Sequence, residues 1–290
     1  MKTKTFKTET YSRLMAIAAS IQTGTNVDTI ALIDDLIAFK TLEGKPAWIR
    51  EMGKLRDFIA GRVSTPWPIV KLDGNGKLPF AAFSSLPGVT CPGAGDCLDW
   101  CYSFKAWRYP AAFARMAQNA WLMIYNPGAI VEAFHAIPHD IQTMRLYVDG
   151  DFASSLDVRF WMELIRTRPA LEVYGYSKSF RELLAYNDML AYGQAWPKNY
   201  LLNLSGGHAH DLHIVDEMKS LPITRGTFDA VSIGRKVKSS DHGKPATNAA
   251  IRAKAGKVFP CPGKCGSCTP KGHACGSDRF RGIPIVIAVH

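Results

Sequence analysis

Residues 144–152 read Met144-Arg-Leu-Tyr-Val-Asp-Gly-Asp-Phe, a short apolar run that breaks off into a Gly flanked by carboxylates. A helical stretch, Asp157–Thr167, follows it, and a second run, Leu171–Tyr176, passes into Gly175-Tyr-Ser-Lys-Ser. Two such strands separated by a helix form a βα unit, and the same pattern extends in both directions. Further β-type runs occur at Pro79–Ser84, Tyr200–Leu204, Ala230–Ile233 and Ile283–Val289. Helical stretches at Pro110–Tyr125, Gly128–Ala136, Ser179–Tyr192 and His213–Lys219 alternate with them. Short, mostly apolar strands alternating with helices predict a parallel sheet covered on both faces. The expected fold class is α/β, a partial or complete βα (TIM-like) barrel, with an open doubly wound sheet as the second choice.

Upstream, residues 1–64 carry helical spacing instead. Leu14, Ile17, Ala18 and Ile21 share one face, as do Ile30, Ile33, Leu36 and Ile37, and then Trp48, Met52, Leu55 and Ile59. Asn26 or Asp28 is the expected cap of the second helix, and Pro46 suits the first turn of the third. The turn-rich Thr65-Pro-Trp-Pro and Asp73-Gly-Asn-Gly end this helical subdomain. The expected division is 1–64 helical, 65–240 the βα core, and 241–290 a basic, cysteine-rich segment with the final strand.

Composition is that of a globular chain: 290 residues, 47% hydrophobic, 21% charged and 11% aromatic. No apolar run approaches the roughly 20 residues of a membrane span. Met1–Lys7 has no apolar signal core, so a cytoplasmic location is expected. The net charge of +10 is uneven, because residues 225–282 hold 12 Lys and Arg against 3 Asp and Glu. A concentration of this kind favours polyanions, so DNA or RNA is an expected partner of segment 225–281. Arg235, Lys236, Lys238, Arg252, Lys254 and Lys257 are its candidate phosphate contacts. Lys264 and Lys271 could instead offset thiolate charge.

The seven cysteines fall into two groups, with none between positions 102 and 260. Cys91, Cys97 and Cys101 form a C-x5-C-x3-C loop directly after the first strand. Three thiolates on one loop can hold three corners of a [4Fe–4S] cluster and leave one iron open. Pro92, Gly93 and Gly95 let the backbone approach the sulfurs closely. No histidine is close in sequence to complete a zinc site; the nearest, His135, lies beyond the Pro110 helix. Cys261, Cys265, Cys268 and Cys275 form a second, self-contained set, C-x3-C-x2-C-x6-C, suited to another iron–sulfur cluster or to zinc. One cluster shared by both groups is a third arrangement.

Polar groups and glycines recur at the presumed strand ends. Asp149, Asp151 and Lys178 are the candidate catalytic residues, and Gly150, Tyr176 and Ser205 the candidate small-molecule cofactor contacts. In an extended backbone Asp149 and Asp151 would share one face; a turn at Gly150 would separate them. Tyr176 and Lys178 could bind an anion or move a proton. His208, His210 and His213 form an H-x-H-x2-H run that could share a cation or could simply be loop residues. No P-loop, G-x-S-x-G, H-E-x2-H or dinucleotide fingerprint is present.

Several of these motifs resemble the gene product 88 family of phage and plasmid proteins. They are Leu86-Pro-Gly-Val-Thr-Cys-Pro-Gly-Ala, Trp100-Cys-Tyr, Arg145-Leu-Tyr-Val-Asp-Gly-Asp-Phe, Tyr174-Gly-Tyr-Ser-Lys-Ser and the Cys-Pro-Gly-x-Cys run at Cys261. The resemblance covers roughly residues 80–275 and implies an origin in a mobile genetic element. The layout is also similar to that of radical-SAM enzymes, with a three-cysteine loop after strand one and a Gly-acid motif after strand two. That likeness implies S-adenosylmethionine as a candidate cofactor, with Gly150-Asp151 near its amino group. An enzyme reading would then be a radical-SAM-like iron–sulfur enzyme. The C-x3-C-x2-C at Cys261 spells that superfamily's literal spacing, but only one strand follows it, so it reads as an accessory site. The competing reading is a nucleic-acid-binding regulator with structural metal sites.

Overall fold

A computed structural model describes residues 8–73, 78–190, 194–235, 237–266, 268–269 and 272–289. Lys236, Lys271, Met1–Lys7, the 74–76 turn and the end of the helix expected to reach Tyr192 lie outside the described residues. The first three helices are α1 (Thr8–Thr23), α2 (Asn26–Leu42) and α3 (Pro46–Ile59). Thr25, rather than Asn26 or Asp28, caps α2: its hydroxyl accepts from the Asp28 N–H, while the Asp28 carboxylate accepts from the Thr25 N–H. Pro46 occupies the first turn of α3, where its missing N–H has no helical partner to lose.

These helices bury Leu14, Ile17, Ile33, Leu36, Met52 and Leu55 in the same apolar core as helix α5 (Pro110–Tyr125). Trp121 of α5 meets Phe58 edge-on at 5.0 Å. Gln118 brackets the Trp67 backbone with two hydrogen bonds, and the Asn119 amide donates to the Ile69 and Ser84 carbonyls. The turn-rich connection is thereby anchored to the body of the protein.

Among the described residues seven strands form one parallel sheet: β1 (Ala81–Ala82), β2 (Thr143–Leu146), β3 (Glu172–Ser177), β4 (Tyr200–Ser205), β5 (Thr224–Val231), β6 (Phe259–Pro260) and β7 (Ile285–Ala288). Their order is β1-β2-β3-β4-β5-β7-β6. The first five strands advance in one direction, and right-handed crossovers then place the helices between them on a single face. These are α5, α6 (Pro127–His135), α7 (Ser155–Arg166), α8 (Phe180–Asp188) and α9 (Leu212–Ser220), with the short α4 (Ser103–Ala106) before them. Period-two alternation sorts the side chains. Met144, Leu146, Val173, Leu202 and Leu204 join the core shared with the helices. Tyr174, Tyr176, Leu201 and Phe228 face the other way.

The sheet is open, so the complete barrel does not form. The outer edge of β1 is met by Lys71, which exchanges both backbone hydrogen bonds with Ala82 in an antiparallel bridge, where a closing parallel strand would have to pair. Nor is the sheet doubly wound, since its order reverses only at β7 and β6. Two further departures have identifiable causes. Strand β5 begins at Thr224, six residues before the expected run, because its polar residues find partners inside the fold. Arg225 donates to Asn203 Oδ1, the Phe280 and Ile283 carbonyls and the Thr227 carbonyl. Helix α10 (Pro245–Ala255) and β6 are short and weakly patterned; α10 buries Ile251 against Val286 and Ala288 of β7.

Candidate functional site

Beyond β1 the chain turns through Leu86–Cys101 and docks across the strand ends. Ala94 and His208 form an antiparallel bridge, the Gly95 and Cys97 N–H groups donate to the Gly207 carbonyl, and the Ala209 N–H donates to the Gly93 carbonyl. The approach is so close that a β-carbon on Gly93 would fall 1.6 Å from the Lys178 carbonyl oxygen. The β4–α9 connection thus brings His208 and His210, remote in sequence, against the cysteine loop, although among the described residues they complete no metal-holding group with its cysteines. His210 Nε2 is 2.6 Å from the Lys178 carbonyl and stacks on Phe180, and His208 also lies against that ring. His213 is exposed on α9, and among the described residues the three histidines form no group that could share a cation.

The Asp149-Gly-Asp turn supports the loop from below. Gly150 has φ +79°, and a side chain there would strike Thr90 and Ser85. This turn separates the carboxylates and rules out the shared face. Asp149 accepts from Ser84 Oγ at 3.1 Å. Asp151 accepts from Ser177 Oγ at 2.7 Å and from the Lys178 and Phe152 N–H groups at 2.6 and 2.9 Å. Burial raises both carboxyls above the ordinary range, against the opposing pull of these hydrogen bonds. Asp151 thus clamps the end of β2 to the end of β3. Ser154, three residues on, caps α7. Lys178 Nζ donates to Ser205 Oγ at 2.7 Å, joining two of the expected site residues at the ends of β3 and β4.

The basic C-terminal segment folds back over the sheet face left free by the helices. Ala274, Cys275 and Ile285 are buried there against Tyr174, with Phe80, Tyr176, Phe228, Cys261 and Cys268 packed around them. The Gly263 N–H points at Cys261 Sγ at 3.4 Å and the Ala274 N–H at Cys268 Sγ at 3.3 Å. Tyr176 donates to the Cys275 sulfur, and the Asn203 amide holds the Cys275 carbonyl at 2.9 Å.

Between the two cysteine groups lies a cavity of about 400 Å³. Cys91, Cys97 and Cys101 line one side and Cys261 and Cys265 another, with Arg145, Gly150, Asp151, Tyr176, Lys178 and Ser205 completing the wall. Burial pushes the Cys91 thiol up to about 12, with the Asp151 charge adding to it, and pushes Cys261 up to about 11. Burial also raises Cys101, although the Ser103 and Phe104 N–H groups favour its thiolate. Such sulfurs carry a proton at neutral pH unless a cation takes its place. All seven thiols are free, and among the described residues no three His, Cys, Asp or Glu side chains converge on a point suited to a single ion.

Sequence reasoning missed Arg145, Tyr102 and Phe228. For Arg145 a signal existed, since it alternates with Met144 and Leu146 and had to face away from their core. The basic segment also proves less free than its charge suggests. Arg225 is buried, Arg281 donates to the Pro222 and Thr224 carbonyls, Arg235 donates to Thr247, and Lys244 pairs with Asp241. Lys238, Arg252, Lys254, Lys257 and Lys264 remain exposed. No described helix is long and apolar enough to cross a membrane.

The geometry defines an open parallel α/β protein with a cysteine-lined cavity at the carboxyl ends of its strands. The chain belongs to the gene product 88 family, whose model matches residues 63–280 and leaves α1–α3 outside the match. No curated protein and no solved structure matches it.

Proposed function

We propose that this protein binds an iron–sulfur cluster in the cavity at the strand ends, with Cys91, Cys97 and Cys101 as ligands. The observation that carries the reading is the meeting, across one cavity, of two cysteine groups from opposite ends of the α/β core. The donor set fits: thiolates are the ligands such clusters take, and the loop offers three, leaving one corner for a fourth donor or a substrate. A cubane's ligands stand farther apart than those of a single ion, so a ring of sulfurs around a cavity suits it better than a convergent tetrahedron. The N–H groups at Cys101, Cys261 and Cys268 would stabilise thiolate charge and tune a bound cluster. Cys261, Cys265, Cys268 and Cys275 would hold a second cluster, with zinc as the alternative.

When bound, such a cluster would supply one-electron chemistry. The chain's own residues would do the rest. Asp151 fixes the strand ends beneath the loop, Lys178 and Ser205 present a cation and a hydroxyl, and Tyr176 and Phe228 shield the cavity. A radical-SAM-like reaction with S-adenosylmethionine against Gly150 is the enzymatic form of this reading. Anaerobic purification followed by iron, sulfide and zinc analysis tests it. Brown protein with iron and sulfide in equal amounts supports the proposal, whereas colourless protein with stoichiometric zinc sinks it.

A further inference from the structure

Two arginines lie on the free sheet face, Arg225 buried and Arg145 half-buried, and they are treated differently. Every donor group of Arg225 is used by the fold, as described above. Arg145 is not satisfied in this way. Its guanidinium sits 4.5 Å above the Tyr176 ring, and Nη2 is 3.4 Å from the Tyr102 hydroxyl. Tyr102 already donates to the Val148 carbonyl at 2.6 Å, so its oxygen can only accept from Arg145. Arg145 Nε is buried with no hydrogen-bond partner. Among the described residues no carboxylate is ion-paired with Arg145, and the nearby Asp149 carboxyl is held by Ser84. Arg145 is half-buried, and a guanidinium whose Nε is shut away from water without a partner is costly unless something completes it.

What Arg145 faces is the cavity. Tyr176, Phe228, Ala230 and Ile287 give that cavity an apolar wall, and its volume lies in the range of small-molecule sites. Arg145 is level with Tyr174 in the β2–β3 register, and Lys178 comes four residues after Tyr174, directly beyond the end of β3. At about 3.3 Å per residue the two backbone positions are roughly 13 Å apart along the strand direction. Arg145 lies near Cys261 and Cys265, and Lys178 near Cys91, so each cation neighbours one of the two cysteine groups.

We infer that the cavity takes an organic oxyanion, a carboxylate or phosphate monoester with an apolar body, whose charged head docks on Arg145. The guanidinium fork matches two oxygens of such a head, while the body lies along Tyr176 and Phe228 and points toward Lys178 and Cys91. This deepens the proposed function by naming a ligand class for the same cavity. It rests on that cavity being the working site, and not on iron being bound.

The test uses the anaerobically purified full chain, with benzoate and phenyl phosphate as probes and benzamide as the neutral control. Binding is read by calorimetry and saturation-transfer NMR. At least one anion should bind about tenfold or more tighter than benzamide, and Arg145→Gln should remove that advantage. Arg145→Lys should restore part of it, having the charge without the fork. Iron and sulfide are measured on the same preparation, so the two readings can fail separately: anion selectivity in iron-free chain upholds the inference, and iron-bearing chain without anion selectivity overturns it. Should Arg145→Gln not fold, protection of the unaltered chain's Arg145 from phenylglyoxal by the bound anion reads the same contact. Equal binding of anions and benzamide, undiminished binding in Arg145→Gln, or no protection would each overturn the inference. Loss of iron in Arg145→Gln without anion selectivity in the unaltered chain would overturn it too, because Arg145 would then serve the thiolates.

Discussion

Replacing Gly93 with Ala should lift the three-cysteine loop off the sheet. The β-carbon would stand 1.6 Å from the Lys178 carbonyl oxygen and 2.4 Å from His210 Nε2, where ordinary contact begins near 3.4 Å. The shortfall of about 1.8 Å must be met by movement of one side. The Lys178 side is held by Asp151 on its N–H and by Phe180 on its carbonyl, so the loop must give way. Three backbone hydrogen bonds dock the loop, from Gly95 and Cys97 to Gly207 and from Ala209 to Gly93. At about 1 kcal/mol each, their loss is on the order of 3 kcal/mol, at the upper end of ordinary overpacking penalties. That shifts local opening by roughly a hundredfold. The assay is native-state labelling of Cys91 and Cys97 by an aromatic disulfide in metal-free, reduced protein. Labelling should accelerate by up to about a hundredfold, with global urea unfolding changing far less. Gly53→Ala is the control, since nothing lies within 4 Å of its β-carbon in helix α3; it should gain about 0.5–1 kcal/mol. Labelling of Gly93→Ala within about threefold of the unaltered chain would refute the docking argument.

Cys97→Ser should lose the iron of the first site and leave the C-terminal site filled, as read by metal analysis; loss of all metal would instead indicate one shared cluster. Asn203→Leu removes an amide that holds the Gly175 and Cys275 carbonyls and accepts from Arg225. Stranding these buried groups should destabilise by about 3–5 kcal/mol in urea unfolding and loosen Cys275, and a change below about 1 kcal/mol would contradict this network. Burial first, and then the charges of His210 and Lys178, hold His208 below the ordinary imidazole value of 6.5. The unfolded chain therefore takes up the proton first. Stability should be full above pH 6.5 and decline below it, and His208→Gln should flatten that limb of the pH profile. If duplex DNA binds the exposed cations, the joint change of Arg252, Lys254 and Lys257 to Gln should lower the salt slope by about 2.7, at about 0.9 per contact. An unchanged slope would place the contact elsewhere.

Amino-acid order alone was enough to read the elements whose information is local. Helices α1–α3 and α5 and strands β2–β4 follow from apolar residues recurring at 3.6 or 2, because each must bury one face whatever its neighbours are. The cysteine groups were equally visible, since their clustering is itself a pattern. Tertiary structure decided everything that depends on non-local pairing. It placed two cysteine groups, separated by more than half the chain, on one cavity, because parallel crossovers leave one sheet face free and the C-terminal segment covers it. It made Thr224–Arg225 a strand, because partners for a buried guanidinium arrive from Asn203, Phe280 and Ile283. It brought His208 and His210 to the first cysteine loop and, among the described residues, left Arg145 Nε without a hydrogen-bond partner. It also kept the barrel open, since Lys71 meets Ala82 on the outer edge of β1, where a closing strand would have to pair. Periodicity records which face of an element is buried; what buries it is settled only when the whole chain folds.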